Sequence, residues 1–493
     1  MMSRYLGLLA WLVLSRVAPL ALLGIPSAAL WLSAPASAAD SPVAQTTAGA
    51  VAGSFAGGGI VTFKGIPFAA PPVGRLRWRP PQPPAPWKGV RDASHFGDDC
   101  MQTPYVIPTG QNASEDCLTV SVWTASDYSK AHRPVMVYIY GGAFIGGSAG
   151  YPLYDGGKLA QQGVVVVGFN YRVGILGFLA HPQLTAESPE HASGNYGLLD
   201  QLAALRWVKT NITAFGGDPA RVTVFGESAG AVSIAVLMSS PLAKGLFQHA
   251  IIQSPTLPVL AGLREAEASG VSVGADLATL RKRSAQELLK KNDSFFPAPP
   301  GRRAGDIAFP APIVDGFVVP EQPRTVYQEQ RLNAVPTIVG VNQDEGRMFS
   351  GEGATAATSG ALGDAMFVES ARFIARSVSR WQPRTFAYVF TRSVNGGPVP
   401  PTHSEELAFM FGSLDKPSFI QHPAADAQDW KLSAIMMRQW ARFAATGDPN
   451  GAGLPPWPRY DAATDPYLEL GTTLKAGKAF RKAQLDALER KAQ

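Results

Sequence analysis

The sequence predicts an α/β fold, a mostly parallel central sheet flanked by helices. Short apolar runs rich in β-branched residues recur at 134–140, 164–171, 222–226, 250–253, 336–341 and 386–390. Runs this continuous suit strands buried on both faces, as parallel strands are. Helix-spaced segments lie between them. Leu198, Leu202, Leu205 and Val208 recur at helical spacing within 197–211, and the segment 229–238 follows a strand directly. Strand and helix in alternation is the pattern of a sheet layered by helices.

Composition removes whole classes. The chain has 493 residues, 46% of them hydrophobic, and its 50 Gly and 41 Pro fall short of the share that marks low-complexity chains. With no short repeat visible, a disordered or fibrous protein is excluded. Lys plus Arg number 43 against 38 Asp plus Glu. They are scattered along the chain, whereas neutralising phosphates requires a stripe of them, so no nucleic-acid partner is expected.

The first residues read as an export signal. Arg4 precedes the apolar run 6–14, apolar residues resume after Arg16, and Ala36-Ser37-Ala38 supplies the small-x-small pattern of a cleavage site. Residues 1–39 are therefore expected to be removed, with the cut after Ala38 or Ala39 and the mature protein secreted or periplasmic. Arg16, Pro19 and Pro26 interrupt the stretch, which argues against a retained membrane anchor.

Residues 40–493 read as a single catalytic domain. The stretch 71–87 is rich in Pro and suits a surface coil. The segment 264–291 is charged and helix-prone, and 301–312, rich in Gly, Pro and Ala, returns the chain to the core. Together these two segments suggest a helical insertion at about 260–312. The only cysteines are Cys100 and Cys117. In the oxidising compartment that export implies, they are expected to be bridged, closing a loop that adds about 3 kcal/mol. None of the seven histidines forms a His-Glu-x-x-His pair, and the glycine-rich phosphate loops are missing. No metal and no cofactor are expected.

The sharpest chemical signal is Gly226-Glu227-Ser228-Ala229-Gly230, between the run 222–226 and the helix-like segment from Ala229. Gly-x-Ser-x-Gly in that setting is a nucleophile elbow, a tight strand-to-helix turn that lifts the serine hydroxyl clear of the backbone. Ser228 is the candidate nucleophile. Attack creates an oxyanion that needs preset backbone donors. Gly141-Gly142-Ala143-Phe144 follows a strand with few bulky side chains, so the amides of Gly142 and Ala143, with that of Ala229, are the candidate oxyanion hole.

A serine needs a histidine to take its proton and an acid to orient that histidine. In hydrolases with this elbow the chain order is Ser, then Asp or Glu, then His. His249 follows the elbow too closely, which leaves His403 and His422. His403 has a strand and a glycine loop before it, so spacing favours it. For the acid, Asp344 and Glu345 both follow the run 336–341, and spacing does not choose between them.

These motifs, in this order, resemble the type-B carboxylesterases, a family of carboxylesterases, cholinesterases and bacterial esterases on the α/β-hydrolase fold. The resemblance runs from about Val51 to Tyr460. It includes Phe63-Lys64-Gly65-Ile66-Pro67, Ser114-Glu115-Asp116-Cys117-Leu118 and Asn170-Tyr171-Arg172-Val173-Gly174. It also includes Gly197-Leu198-Leu199-Asp200-Gln201, Asn342-Gln343-Asp344-Glu345-Gly346, His403-Ser404-Glu405-Glu406-Leu407, and the stretch from Trp440 to Asn450. The resemblance implies Glu345 as the acid, His403 as the base and a Cys100–Cys117 disulfide. It further implies buried ion pairs of Arg77 with Glu115 and Arg172 with Asp200. Glu227, beside the nucleophile, is expected to tune His403 by its charge.

Small-molecule esters are the implied substrates. Amides, carbamates and lactones yield to the same machinery, and the sequence does not separate them. A non-catalytic adhesion relative is the reading from another class, and it is disfavoured because all three catalytic positions are filled. The loop between Cys100 and Cys117 holds no Trp, so selection of quaternary ammonium by an aromatic platform there is not expected. Gln253-Ser254-Pro255 stands where the family usually has Gln-Ser-Gly, which suggests a stiffened wall beside the acyl group. Phe144, Met348, Phe349 and Phe411 lie beside these motifs and either line an apolar cleft or belong to the core. Asn112, Asn211 and Asn292 each begin a glycosylation triplet.

Overall fold

Eleven strands form one sheet, whose order decides where the reactive residues meet. The computed structural model describes residues 41–103, 109, 111–291, 312–351 and 353–492. The expected export signal, residues 301–311 of the expected connector and Asn292 lie outside that range. In chain order the strands are β1 (Ser54–Gly57), β2 (Ile60–Pro67), β3 (Thr119–Ala125), β4 (Arg133–Ile139), β5 (Val165–Phe169), β6 (Gly217–Glu227), β7 (His249–Gln253), β8 (Thr337–Asn342), β9 (Thr385–Phe390), β10 (Pro466–Leu470) and β11 (Lys475–Lys478).

Across the sheet they lie as β11-β10-β9-β8-β7-β6-β4-β5-β3-β2-β1. Strands β4 to β10 run parallel, and antiparallel strands close both edges. Every residue of β5, β7 and β8 is buried, as continuous apolar runs between two helical layers must be.

The edge strands carry weaker signals. In β10 burial alternates residue by residue, and β11 is mostly exposed. Strand β3 is buried along its middle, but its apolar run is broken by Ser121 and Thr124. Between strands, the helix Tyr196–Asn211 and the helix Ala229–Ser239 cover the sheet. The longest helix among the described residues, Ala427–Thr446, begins with a capping box between Asp426 and Asp429 and ends at Gly447 in the left-handed conformation (φ 70°). Both ends thereby satisfy backbone groups that a helix otherwise leaves unpaired. No helix among the described residues is long and apolar enough to cross a membrane.

The charged segment after β7 folds into three short helices, Leu263–Val273, Leu277–Lys282 and Ala285–Leu289. They build a satellite core in which Val273, Leu277, Leu280 and Leu288 pack with Trp78, Ile175, Leu176 and Tyr196. Arg77 fastens these helices to the body. Its guanidinium grips both oxygens of Glu115, with Nε 2.7 Å from Oε1, while Nη1 donates to the carbonyls of Arg281 (3.1 Å) and Arg283 (2.7 Å). Arg172 and Asp200 form the second expected pair, at 2.7 Å (Nη2 to Oδ1) and 2.8 Å (Nε to Oδ2), with both side chains buried. Cys100 and Cys117 are bridged.

Asn211 is a correction to the glycosylation triplets. Its side chain is buried, donating to the Trp207 carbonyl (3.1 Å) and accepting from the Thr47 amide (2.8 Å), so no sugar can be attached there without unfolding the helix end.

Candidate active site

The candidate residues gather beyond the carboxyl ends of β4, β6, β8 and β9, where open parallel sheets place their sites. Strand β6 ends at Glu227 and a helix begins at Ala229, so Ser228 alone makes the turn, at φ 55° and ψ −123°. For a residue with a Cβ this conformation costs about 1–3 kcal/mol and persists only when its surroundings impose it.

The surroundings are glycines, and what they supply is room rather than a left-handed backbone. Neither Gly226 nor Gly230 has a positive φ. Each is needed because the chain of β4 passes close: a Cβ on Gly226 would lie 2.6 Å from the Ile139 carbonyl oxygen, and one on Gly230 would clash with the same oxygen. The strain sits on the serine, and the glycines let the elbow press against the neighbouring strand.

Beyond β4 the chain makes a second strained turn. Gly142, Ala143 and Phe144 have φ of 109°, 53° and 59°. Gly141 touches the elbow, since a Cβ there would meet the Glu227 carbonyl oxygen at 2.9 Å and Ser228 Cβ at 3.0 Å. Among the described residues, the amides of Gly142, Ala143 and Ala229 donate no backbone hydrogen bond outside the regular elements. Such free amides beside a serine are what an oxyanion site requires.

Just past the end of β8 lies Glu345, the candidate acid. Glu345 Oε1 accepts from the Asn342 amide and from Ser254 Oγ, both at 2.6 Å, and Oε2 lies 2.6 Å from His403 Nδ1. Asp344 is turned elsewhere, accepting from Ser359 Oγ at 3.0 Å. The alternative histidine, His422, lies elsewhere, its Nδ1 3.0 Å from the neighbouring Pro423 carbonyl.

The other ring nitrogen of His403, Nε2, lies 3.0 Å from Oε1 of Glu227, the residue before Ser228, and makes no hydrogen bond among the described residues. Catalytic hydrogen bonds to a serine often tighten only once substrate is bound. Burial alone would push the His403 pKa down. The carboxylates of Glu227 and Glu345 outweigh it, and the pKa is raised to about 10.

Residues 40–361 and 350–488 match the carboxylesterase family. The chain belongs to that family. A fumonisin B1 esterase from Sphingopyxis macrogoltabida is 40% identical, over 89% of this chain and 88% of that protein. The para-nitrobenzyl esterase of Bacillus subtilis (strain 168) is 36% identical, over 84% and 92%. A solved PNB esterase structure superposes with a TM-score of 0.82 at 32% identity, covering 90% of this chain and 99% of that one. This carboxylesterase therefore has the α/β-hydrolase fold and is a carboxylic ester hydrolase.

The four aromatic and methionine positions part company in the carboxylesterase. Phe349 packs at the imidazole, its ring centroid 5.1 Å from that of His403, and Met348 beside it is exposed. Phe144 is buried edge-on against Phe178 (5.2 Å). Phe411 packs at 4.9 Å from Tyr138 and 5.8 Å from Phe225, which favours the core reading for it.

Several residues around the site carried no role in the sequence reading. Ser254 donates to Glu345, and it does so from a strained φ of 52°. Glu406 is a third buried carboxylate, accepting from Gln253 Nε2 (3.0 Å) and Asn342 Nδ2 (2.6 Å). Burial and the nearby Glu227 and Glu345 charges push its pKa up to about 8. Ser404 Oγ donates to Glu227 at 2.5 Å. The ring of Phe367 covers the imidazole at 4.4 Å. The side chains of 404 and 406 flank the histidine in sequence, which was the available signal; Phe367 had none.

Proposed function

We propose that this carboxylesterase cleaves carboxylic esters through an acyl-enzyme, with Ser228 as nucleophile, His403 as base and Glu345 as its orienting acid. The observation that carries the reading is the His403 ring, held by Glu345 at Nδ1 and presenting Nε2 to the residue next to Ser228. Ser228 Oγ forms a bond to the ester carbonyl carbon as its proton passes to Nε2. The amides of Gly142, Ala143 and Ala229 receive the negative oxygen. The bond to the alcohol oxygen then breaks as Nε2 returns the proton to it, and water releases the acid by the same steps.

The relatives' names speak of fumonisin B1, para-nitrobenzyl and cocaine esters, and what those share is the ester bond. We accordingly assign a small-molecule carboxylic ester as substrate and no finer class. We also propose export and removal of residues 1–39, on the pattern of Arg4, the apolar run and Ala36-Ser37-Ala38.

An organophosphate tests the mechanism. It should abolish hydrolysis of p-nitrophenyl butyrate at one equivalent, with the phosphoryl group found on Ser228 by mass spectrometry. Full activity after treatment, or labelling at another serine, sinks the proposal.

Glu227 gives a second test with a definite sign. Its carboxylate raises the His403 pKa, and the base must be neutral to work, so activity is lost as pH falls through that pKa. The acid limb of kcat/KM should lie in the neutral-to-alkaline range and should move to lower pH in Glu227→Gln. Because Glu227 and Glu345 both act on His403 and Glu406 lies beside them, the limb reports the cluster. A limb that stays in place or moves to higher pH contradicts the assigned role.

A further inference from the structure

We propose that Arg481, near the carboxyl end of the chain, is a positioning residue that fixes both the acid and the aromatic cover of the base. The inference rests on Glu345 and His403 acting as assigned above. Arg481 Nη2 donates to the Gln343 carbonyl at 2.6 Å, and Nη1 donates to Asp364 Oδ1 at 2.6 Å.

The first bond reaches the acid turn. Gln343 lies two residues before Glu345, its amide bound to the Phe390 carbonyl (2.9 Å), while the Asp344 amide binds the Pro401 carbonyl (3.0 Å). Those two bonds hold the turn from the β9 side, and Arg481 holds it from the other. The second bond reaches the cover. Asp364 opens a π-helical turn, Asp364–Val368, between the helices Ala356–Gly363 and Glu369–Ser379. Such turns displace side chains from where a regular helix would put them. This one carries Phe367, whose ring lies 4.4 Å from His403 and 5.3 Å from Phe349.

The two parts are already in contact, since a Cβ on Gly346 would clash with the Ser359 carbonyl oxygen. A bidentate guanidinium across them fixes their relation, which a single-point cation cannot do. The mount is rigid. Arg481 adopts a φ of 49° and leads into the helix Lys482–Ala492, where Asp486 pairs with Arg372 (2.7 Å) and Glu489 with Arg376 (2.9 Å).

Loss of the clamp lets the acid drift from Nδ1, and small misplacements of this kind cost up to about 100-fold in rate. Arg481→Ala should lower kcat about 10- to 100-fold with KM within about twofold. The acid limb of kcat/KM should move to lower pH, because Glu345 no longer supports the protonated imidazole that Glu227, Glu345 and Glu406 surround. Removing the cation without moving the acid would shift the limb the opposite way. Arg481→Lys should recover part of the loss.

Arg376→Ala serves as the comparison. It weakens the same helix without touching the clamp and should lower Tm while leaving kcat unchanged. Should Arg481→Ala not fold, Asp364→Asn, which keeps the bond to Gln343, should still lower kcat by a smaller factor. Unchanged kcat and pH profile in Arg481→Ala, or in Asp364→Asn if only that variant folds, overturn the proposal, as does a kcat loss in Arg376→Ala equal to that in Arg481→Ala. Glu345→Gln separates the two assignments. If it is inactive while Arg481→Ala is normal, only the clamp fails; if it retains full kcat, the acid assignment fails first.

Discussion

Ser228→Ala should lower kcat on p-nitrophenyl butyrate by about 10⁴- to 10⁶-fold with little change in KM. The substitution removes one oxygen atom and leaves the amides of Gly142, Ala143 and Ala229 in place. Some rate above the uncatalysed reaction should therefore survive, supplied by binding and by those donors. Tm should not fall, since the turn is held by the close approach of Gly226 and Gly230 to Ile139 rather than by the serine hydroxyl. Ser228→Gly offers an internal check. Glycine takes φ 55° without a steric penalty, so this equally inactive variant should melt above Ser228→Ala. A Ser228→Ala variant within tenfold of the parent, measured on protein purified free of other esterases, rules out attack by this residue.

Asp200→Ala should destabilise the protein by about 3–5 kcal/mol, because it leaves the Arg172 guanidinium buried without its partner. Both side chains are almost wholly inaccessible, at 4% and 0%, so water cannot replace the lost carboxylate. Arg172 already has one nitrogen, Nη1, without a hydrogen bond among the described residues, and the Arg172 amide also donates to Asp200 at 3.0 Å. In calorimetry the loss should read as a fall in Tm of several degrees. Replacing both partners by apolar residues of similar volume should recover much of it, as removal of a whole buried pair is often near neutral. The folded fraction of Asp200→Ala should keep most of its kcat. A Tm within a degree of the parent contradicts the burial argument.

The central strands were legible because burial on both faces leaves little room for polar residues. The expected run 336–341 differs from β8 by one residue at each end. The edge strands were not, since one face of each meets water or a polar neighbour. At the site, the elbow and the strand-end acids could be read because chain order and spacing are local facts. The choice between Asp344 and Glu345 could not: adjacent residues project in different directions, and only the resemblance, then the distance of 2.6 Å to His403, favoured the second. Ser254 and Glu406 were visible as letters without roles, because what they do depends on carboxylates contributed by other strands. Phe367 was hidden altogether, since a π-helical turn has no signature in hydrophobic spacing.

The contact between Gly230 and the backbone of Ile139 has a consequence for how such an enzyme can change. With no gap between them, the turn that carries Ser228 and the middle of the sheet behave as a single solid piece, and neither can be remodelled alone. Selection for new esters has to leave positions 226 and 230 as they are. Variation that alters what the enzyme accepts must instead accumulate in segments hung from the strand ends, where a changed side chain disturbs nothing beneath it.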